Sequence, residues 1–588
     1  MKYLYRTIFL LLIIINGSSA DRIKARNKRV QEETNQTTWE PIRIQYQFAQ
    51  ENYEIEYQVF FQNLLSVAST FFTRYFLVQR LTEQITFDTL DTEYFEKRNI
   101  STSLISKQFD ADLLIFFVIF SDSQSYKANS GYFKTDPETK RPTVGYIQWN
   151  TFYTNLTNIT NSDFEQHAQR LIAVTMYDMG FIFQTFPTYY DSSTKESYSE
   201  VIITEDGISY LSTPRLRNKM KLHFNCSSIK GAQLENEGGN GIQLSHLERA
   251  VFYNEILTSS IMEGKVVISD FTFSLFQDSG FYNFMEYYPD KVQWGKNKEC
   301  DFLTKQCKGE FEEFCQVENE QGCSYLNTGQ AKCQSDKYSN ECKYFQIQLG
   351  YDCKDKSSAG GDQNQETFQY FGSDSMCVKG SISKNQSAAN SQQSSCYQYS
   401  CDSNNQLKLL IDEKQYDCSS SQPQKLDKGY FGSLICPNNP EEFCKSQNDC
   451  EDQCSQNGYC LNQMCICKLG YSGKSCSENC QNYRFQNECF ELCPKNSYAI
   501  ASIKYCVGCP GNCYICESYN KCKSCHQGYK LNAIGFCDII DPFSDGGEDE
   551  NETGSGEQED EQYFDLYFNY QYENGYIIGA TIIYLILL

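Results

Sequence analysis

SDFEQHAQRLIAVTMYDMG, residues Ser162 to Gly180, is the stretch on which the reading of the fold turns. Its apolar spacing predicts one long helix over Asp163 to Met179. Ser162 stands where an N-cap would, and Glu165, three residues on, would complete a capping box. Gly180 suits the helix end because it can take the left-handed conformation, and Pro187 blocks continuation. On such a helix Ala173 and Tyr177 lie at i and i+4 and share a face.

Upstream, Phe60, Leu64, Val67 and Phe71 recur at helical spacing and predict a helix over Val59 to Leu81, packed on a sheet. DADLLIFFVIF (Asp110 to Phe120) is a continuous apolar run that reads as a buried strand. Gly145 to Trp149 predicts a second short strand after the Arg141-Pro142 turn. Downstream, a loop region is expected up to about Leu222. Gly238-Gly239-Asn240-Gly241 makes a flexible turn, and DFTFSLFQDSG (Asp270 to Gly280) is ambiguous.

A chain of 588 residues is too long for one core, so several domains are expected. Lys2 and Arg6, the apolar run Ile8 to Ile15 and the small residues Ser18-Ser19-Ala20 read as a secretory signal over residues 1–20. The thirty cysteines fit secretion, because an oxidising compartment lets them pair. None precedes Cys226, and the rest lie between Cys300 and Cys537, so only the C-terminal part is expected to be held by disulfides. Sequons at Asn35, Asn99, Asn155, Asn158 and Asn385 mark glycosylation candidates in the same compartment. A net charge of −24 excludes a basic nucleic-acid footprint, and much of the excess sits in one acidic run.

Two small cysteine modules stand out. Cys454-x5-Cys460-x4-Cys465-x-Cys467-x8-Cys476, with Gly470-Tyr471-Ser472-Gly473 inside it, has EGF-like spacing. The Cys506 to Cys525 series of CxxC pairs, followed by Gly528-Tyr529, resembles furin-like repeats. CxxC pairs also hold zinc, but in a secreted, cysteine-dense chain disulfides are expected, with His526 a surface residue. Asp541 to Glu561 reads as a solvated acidic linker. The tail YIIGATIIYLILL (Tyr576 to Leu588) is short for a membrane span and fits a GPI signal or a short anchor.

LHFNCSSIKGAQLENEGGNGIQLSHLERAVFYNEIL, SDFTFSLFQDSGFY and WGKNKECDFLTKQC, within Met220 to Cys307, carry a family resemblance, as does RPTVGYIQWN (Arg141 to Asn150). Together they resemble the leishmanolysin family of surface zinc endopeptidases. The resemblance covers Asp110 to Cys307 and extends weakly to about Cys436. It implies an α+β, metzincin-like protease domain followed by disulfide-rich small modules. The expected organisation is a signal peptide (1–20), an N-terminal pro or upper region (21–109), the peptidase domain (110–310) and its cysteine-rich C-terminal part (311–440). An EGF-like module (441–479), a furin-like module (480–538), the linker (539–575) and the hydrophobic tail (576–588) would follow.

Relatives carry HExxH before a Leu-Gly-Phe stretch, which Met179-Gly180-Phe181 matches. In that register the chemistry is missing. Ala173 stands at the first zinc-ligand position, Tyr177 at the second, and Val174 at the general-base position. His246 matches the third ligand, and Leu257 replaces the methionine under the metal. His167 and His223 match no ligand position, and Asp178 is expected on another face of the helix. A catalytic zinc needs three strong ligands and a water. Ala173 offers none, and a phenol with a free pKa near ~10 ligates only as phenolate. Zinc sites reach roughly 10–16 kcal/mol through full ligand sets. The family's zinc is therefore expected not to bind here, and His246 is expected to be vestigial. Ala173, Val174, Tyr177 and Leu257 would instead fill the space by packing.

The resulting expectation is a secreted or surface-anchored pseudopeptidase acting in binding or adhesion. Its partner would be a peptide or protein ligand, with the membrane met through the C-terminal tail, no nucleic acid, and the cysteine modules as stalk or adhesion surface. The alternative is an active zinc metalloendopeptidase whose unconventional site uses Tyr177 and His246, with His167 or His223 recruited. A third, an EGF-type signalling ligand, has less behind it, because such modules commonly serve as spacers.

Overall fold

The apolar run predicted as a strand does become the centre of a sheet. In the computed structural model, which describes residues 39–539 apart from short internal stretches such as 260–265 and 359–366, four strands form it. They are β2 (Ile44–Phe48), β4 (Leu113–Phe120), β5 (Ala128–Thr135) and β6 (Pro142–Asn150), in the order β2-β4-β6-β5. β2, β4 and β6 are parallel, and β5 closes the edge antiparallel to β6. Strand β4 is central and covered on both faces, which is why it reads as unbroken hydrophobicity rather than alternation. Leu113, Ile115 and Phe117 enter the main core, while Leu114, Phe116 and Val118 enter a second core with Phe95, Phe109 and Val144.

Two helices cover the main-core face. Helix α1 spans Ile55–Tyr75 and helix α2 spans Asn161–Asp178. They meet through Phe60 and Phe164, whose rings lie 6.0 Å apart at 89°. The expected helix over Val59 to Leu81 ends early. Phe76–Gln79 becomes β3, between β1 (Trp39–Pro41) and β10 (Asn283–Phe284), and Phe76 packs on Phe273, Phe276 and Tyr282. The capping box at Ser162 falls on a side chain outside the described residues.

The loop region expected up to Leu222 is instead structured. β7 (Ile202–Glu205) and β8 (Ile208–Leu211) form a hairpin about Asp206-Gly207, both at positive φ, with β9 (Ala232–Gln233) added alongside β8. Helix α3 (Pro214–Phe224) follows, started by a proline and ended by Asn225 in the left-handed region. The ambiguous segment from Asp270 is helix α4 (Asp270–Asp278), capped by Ser269, whose hydroxyl accepts from the Phe271 N–H.

Beyond Cys300 the chain is built on short antiparallel sheets and disulfides. Three strands lie between Gln321 and Asp352, and five between Ser375 and Ile435. No described cysteine is free. In the EGF-like segment Cys454 pairs with Cys465 and Cys467 with Cys476. The furin-like segment pairs Cys493–Cys506, Cys509–Cys516, Cys513–Cys522 and Cys525–Cys537. These modules touch the N-terminal half of the same compact unit. Arg484 Nη2 donates to Asn63 Oδ1 (3.2 Å) on α1, and Gln84 Nε2 donates to the Tyr529 hydroxyl (2.9 Å).

The signal segment, Asn35, Asn155, Asn158, the acidic linker and the hydrophobic tail lie outside the described residues. Among the described residues no helix is long and apolar enough to cross a membrane.

Candidate functional site

Helix α2 ends as its sequence demands. Phe181 N–H bonds the Met176 carbonyl (3.2 Å) and Gly180 N–H bonds that of Tyr177 (3.0 Å), the paired pattern of a Schellman cap, with Gly180 at φ +105°. Ala173, Val174 and Tyr177 are all buried. At the edge of the sheet, Ser130 Oγ donates to the Val174 carbonyl (2.8 Å), tying β5 to the helix at this turn.

His246 reaches the same place from the other side. Its segment is held by Glu235 N–H to the His246 carbonyl (2.8 Å) and Leu247 N–H to the Leu257 carbonyl (2.9 Å). The loop carrying Leu257 is organised by Glu255, which is buried among donors. It accepts from Leu257 N–H (2.8 Å), Ser269 Oγ (2.8 Å), Ser269 N–H (3.3 Å) and the Thr272 hydroxyl. Leu257 itself is fully buried. Tyr177 and His246 are thus brought side by side.

What they bring is not a ligand set. The Tyr177 ring lies 4.7 Å from the His246 ring, centroid to centroid, tilted by 53°, and 5.8 Å from the Phe181 ring. Burial pushes the Tyr177 phenol well above its ordinary range. Glu255 pushes it further, and Arg249 only partly opposes this. A phenolate at that position therefore has little to sustain it. Burial lowers the His246 imidazole to about 4, so the ring is neutral, and its Nδ1–H donates to the Ile242 carbonyl (3.0 Å). That bond leaves Nε2 as the ring's second nitrogen, and Ala173 and Val174, both buried on helix α2, carry no ligand atom in their side chains. This donor set does not fit a catalytic zinc, which takes three protein ligands and a water, and the family's general-base position holds Val174, which cannot take a proton from that water.

The other histidines do not complete it. His167 is buried between Phe60 and Trp149, each ring 5.8 Å away, and meets Arg170 Nη1 through Nδ1 at 3.0 Å. His223 bonds the Trp294 carbonyl through Nε2 (2.8 Å). Burial lowers both to about 4. His526 packs on Tyr514. Among the described residues, the sets of three or more His, Cys, Asp or Glu with ligand atoms close enough for one ion are cysteines, all disulfide-bonded.

Asp178 points away from the cleft, toward the sheet. A Cβ on Gly145 would lie 2.8 Å from its Cγ, so β6 carries glycine where the carboxyl sits. The side chain is fully buried, and neither oxygen has a partner in good hydrogen-bond geometry. Burial raises its pKa well above the carboxylate range, opposed by the backbone of Gly131 and Tyr146. Beside it Tyr46 and Thr175 share a 2.9 Å hydroxyl contact. Asp178 thus lies on another face of the helix from Tyr177, as its place in the sequence led one to expect. The role of Glu255 has no local signal in the sequence.

Comparison with known proteins places this geometry. A family model described as Leishmanolysin matches residues 54–349. The ciliated left-right organizer metallopeptidase of Xenopus laevis is 24% identical over 348 residues, covering 56% of this chain and 46% of that protein. The leishmanolysin-like peptidase of Caenorhabditis elegans is 35% identical over 100 residues, 17% of this chain and 15% of its own. The leishmanolysin of Leishmania donovani is 25% identical over 147 residues, 25% of this chain and 24% of its own. The matched region spans less than half the length of each of these relatives.

Proposed function

This chain belongs to the leishmanolysin family of zinc-dependent peptidases, and from that premise we propose that it is a catalytically inactive member that acts by binding. The observation that carries this is the Tyr177 ring seated 4.7 Å from His246, with Ala173 and Val174 at the neighbouring family positions buried and without ligand atoms. One neutral imidazole beside a protonated phenol does not hold a divalent cation tightly, and without the cation no water is activated. The alternative, an active endopeptidase with an unconventional metal site, needs His167 or His223, and each is engaged elsewhere in the core.

The ligand we propose is an extended peptide or protein segment. Strand β5 is the terminal strand of its sheet and lies beside helix α2 at Val174. A peptide can add to such an edge through backbone hydrogen bonds without any catalytic group. The disulfide-rich composition fits an oxidising, extracytoplasmic compartment. We place the protein there, secreted or anchored through its apolar tail, with glycans on Asn99 and Asn385, both exposed, and on Asn35, Asn155 and Asn158.

Metal analysis of the purified secreted protein tests the reading. Zinc far below one equivalent, with no chelator-sensitive cleavage of casein, is expected. One firmly held zinc per chain together with cleavage would overturn it.

A further inference from the structure

Asn225-Cys226-Ser227 follows helix α3, and its asparagine closes that helix. Asn225 occupies the left-handed position (φ 55°, ψ 45°) that closes the helix. The closure is made entirely by backbone. Asn225 N–H bonds the Lys221 carbonyl, and Cys226 N–H bonds the same carbonyl at 3.1 Å. The Asn225 carboxamide takes no part in this, and the residue is exposed, as is Ser227. Glycine is the commoner residue at this position, with asparagine the usual substitute. Here the asparagine also stands two residues before a serine, with no proline between, which is the acceptor pattern for N-linked sugar.

We infer that Asn225 is an N-glycosylation site whose use is timed by the disulfide of its neighbour. The donor is an oligosaccharide on a polyprenyl pyrophosphate, supplied with its transferase in the secretory lumen. Asn225 Nδ2 forms a bond to C1 of the first sugar and loses one proton to a base of the transferase. The C1–O bond to the carrier breaks, and the polyprenyl pyrophosphate leaves with both electrons. The acceptor tripeptide must be extended and free for this. In the folded chain it is neither. Asn225 is locked left-handed, and Cys226 is buried and bonded to Cys300, 74 residues further on. Transfer therefore precedes closure of that disulfide, which cannot form until those residues have been made. At roughly 5–20 residues per second this leaves a window of about 4–15 s. Once folded, the exposed side chain accommodates the glycan without disturbing the cap, because the cap is backbone-made.

This inference rests on the secretory reading above, and the test separates the two. The full chain is expressed in a eukaryotic secretory host, purified from the medium, and treated with a peptide amidase in ¹⁸O water. Mass spectrometry then reads each sequon. Asn225 is expected to convert to ¹⁸O-labelled Asp in most molecules. Ser227→Ala should remove one glycan and keep the asparagine cap. Asn225→Gly should remove the same glycan and keep the left-handed cap, with a melting temperature close to that of enzymatically deglycosylated protein. Ser227→Thr and Cys300→Ala should each raise occupancy, the latter by removing the disulfide partner. An unlabelled Asn225 peptide in protein whose Asn99 or Asn385 is labelled overturns the inference and leaves the secretory reading standing. A chain that stays in the cytosol of that host, with no labelled sequon, overturns both.

Discussion

The triple substitution Ala173→His, Val174→Glu and Tyr177→His would return two imidazoles and a general base to helix α2, facing His246. Its cost can be estimated from the site. Full truncation of a buried aromatic costs about 3–5 kcal/mol. An imidazole refills part of the Tyr177 volume, so that step costs roughly half as much. Ala173 and Val174 are 5% and 7% exposed, and a polar group left unpaired at such a site costs about 1–3 kcal/mol. Without metal the variant should therefore be several kcal/mol less stable than the parent. Zinc should reverse this. At a free concentration a thousandfold above Kd the gain is about 4.1 kcal/mol. A domain of 150–250 residues shifts by roughly 2–4 °C per kcal/mol, which makes a rise of about 8–16 °C. Thermal melts with zinc and with chelator, beside metal analysis of both proteins, give the answer. The parent should not respond. A parent whose melting temperature rises as much as the variant's would refute the claim that its donors are too few. A folded variant blind to zinc would show that Ala173 and Tyr177 do not occupy the ligand positions.

Three further outcomes follow from the same geometry. Tyr177→Phe should change stability by less than about 1.5 kcal/mol, whereas Tyr177→Ala should cost about 3–5 kcal/mol, measured by urea unfolding, because the ring acts by filling the cleft. Glu255→Ala strips the acceptor from Leu257, Ser269 and Thr272 and should cost about 3 kcal/mol or more; faster amide exchange at Leu257 than in the parent would accompany it. Asp178 has a folded pKa above its unfolded value, so the folded chain keeps a proton that the unfolded chain releases. Its contribution to stability therefore declines as pH rises from about 4 toward the folded pKa. Asp178→Asn should match the parent near pH 4 and exceed it at pH 8, and melts that stay parallel across that range would count against a buried acid here.

Local pattern carried much of this fold and little of its cross-connections. Strand β4 and helix α2 were legible because one is an unbroken apolar run and the other has a proper end at Gly180. The β7–β8 hairpin was passed over although Asp206-Gly207, a strong two-residue hairpin signal, sits between Ile203 and Ile208. Helix α3 was passed over for a different reason. Its sequence PRLRNKMKLHF carries four Arg and Lys residues in eleven and buries only Leu216, Met220 and Phe224. The end of α1 could not be placed because Phe72 and Phe76 continue a helical spacing across the point where the backbone turns into β3. At the site, Ala173, Val174, Tyr177 and His246 stand at positions read from the family register, and the structure places the Tyr177 and His246 rings against each other. Asp178 facing Gly145 and Glu255 binding Ser269 and Thr272 depend on contacts that no local spacing encodes.

The pattern of what is kept and what is lost bears on function. The framework around these positions is well made: the Schellman cap at Gly180, the Glu255 network under Leu257, and the Ser130 bond joining the sheet edge to the helix. The family's ligand and base positions on helix α2 carry buried side chains without metal ligands, and on the function proposed above this framework serves something other than water activation. The surface this framework still supports is the β5 edge. A peptide library panned against the parent and against a variant with proline at Asn129 or Tyr132, which removes a strand N–H, separates the two explanations. Binding lost in the proline variant, with its melting temperature near the parent's, supports a retained groove. Equal binding by both would mean that the framework serves stability alone.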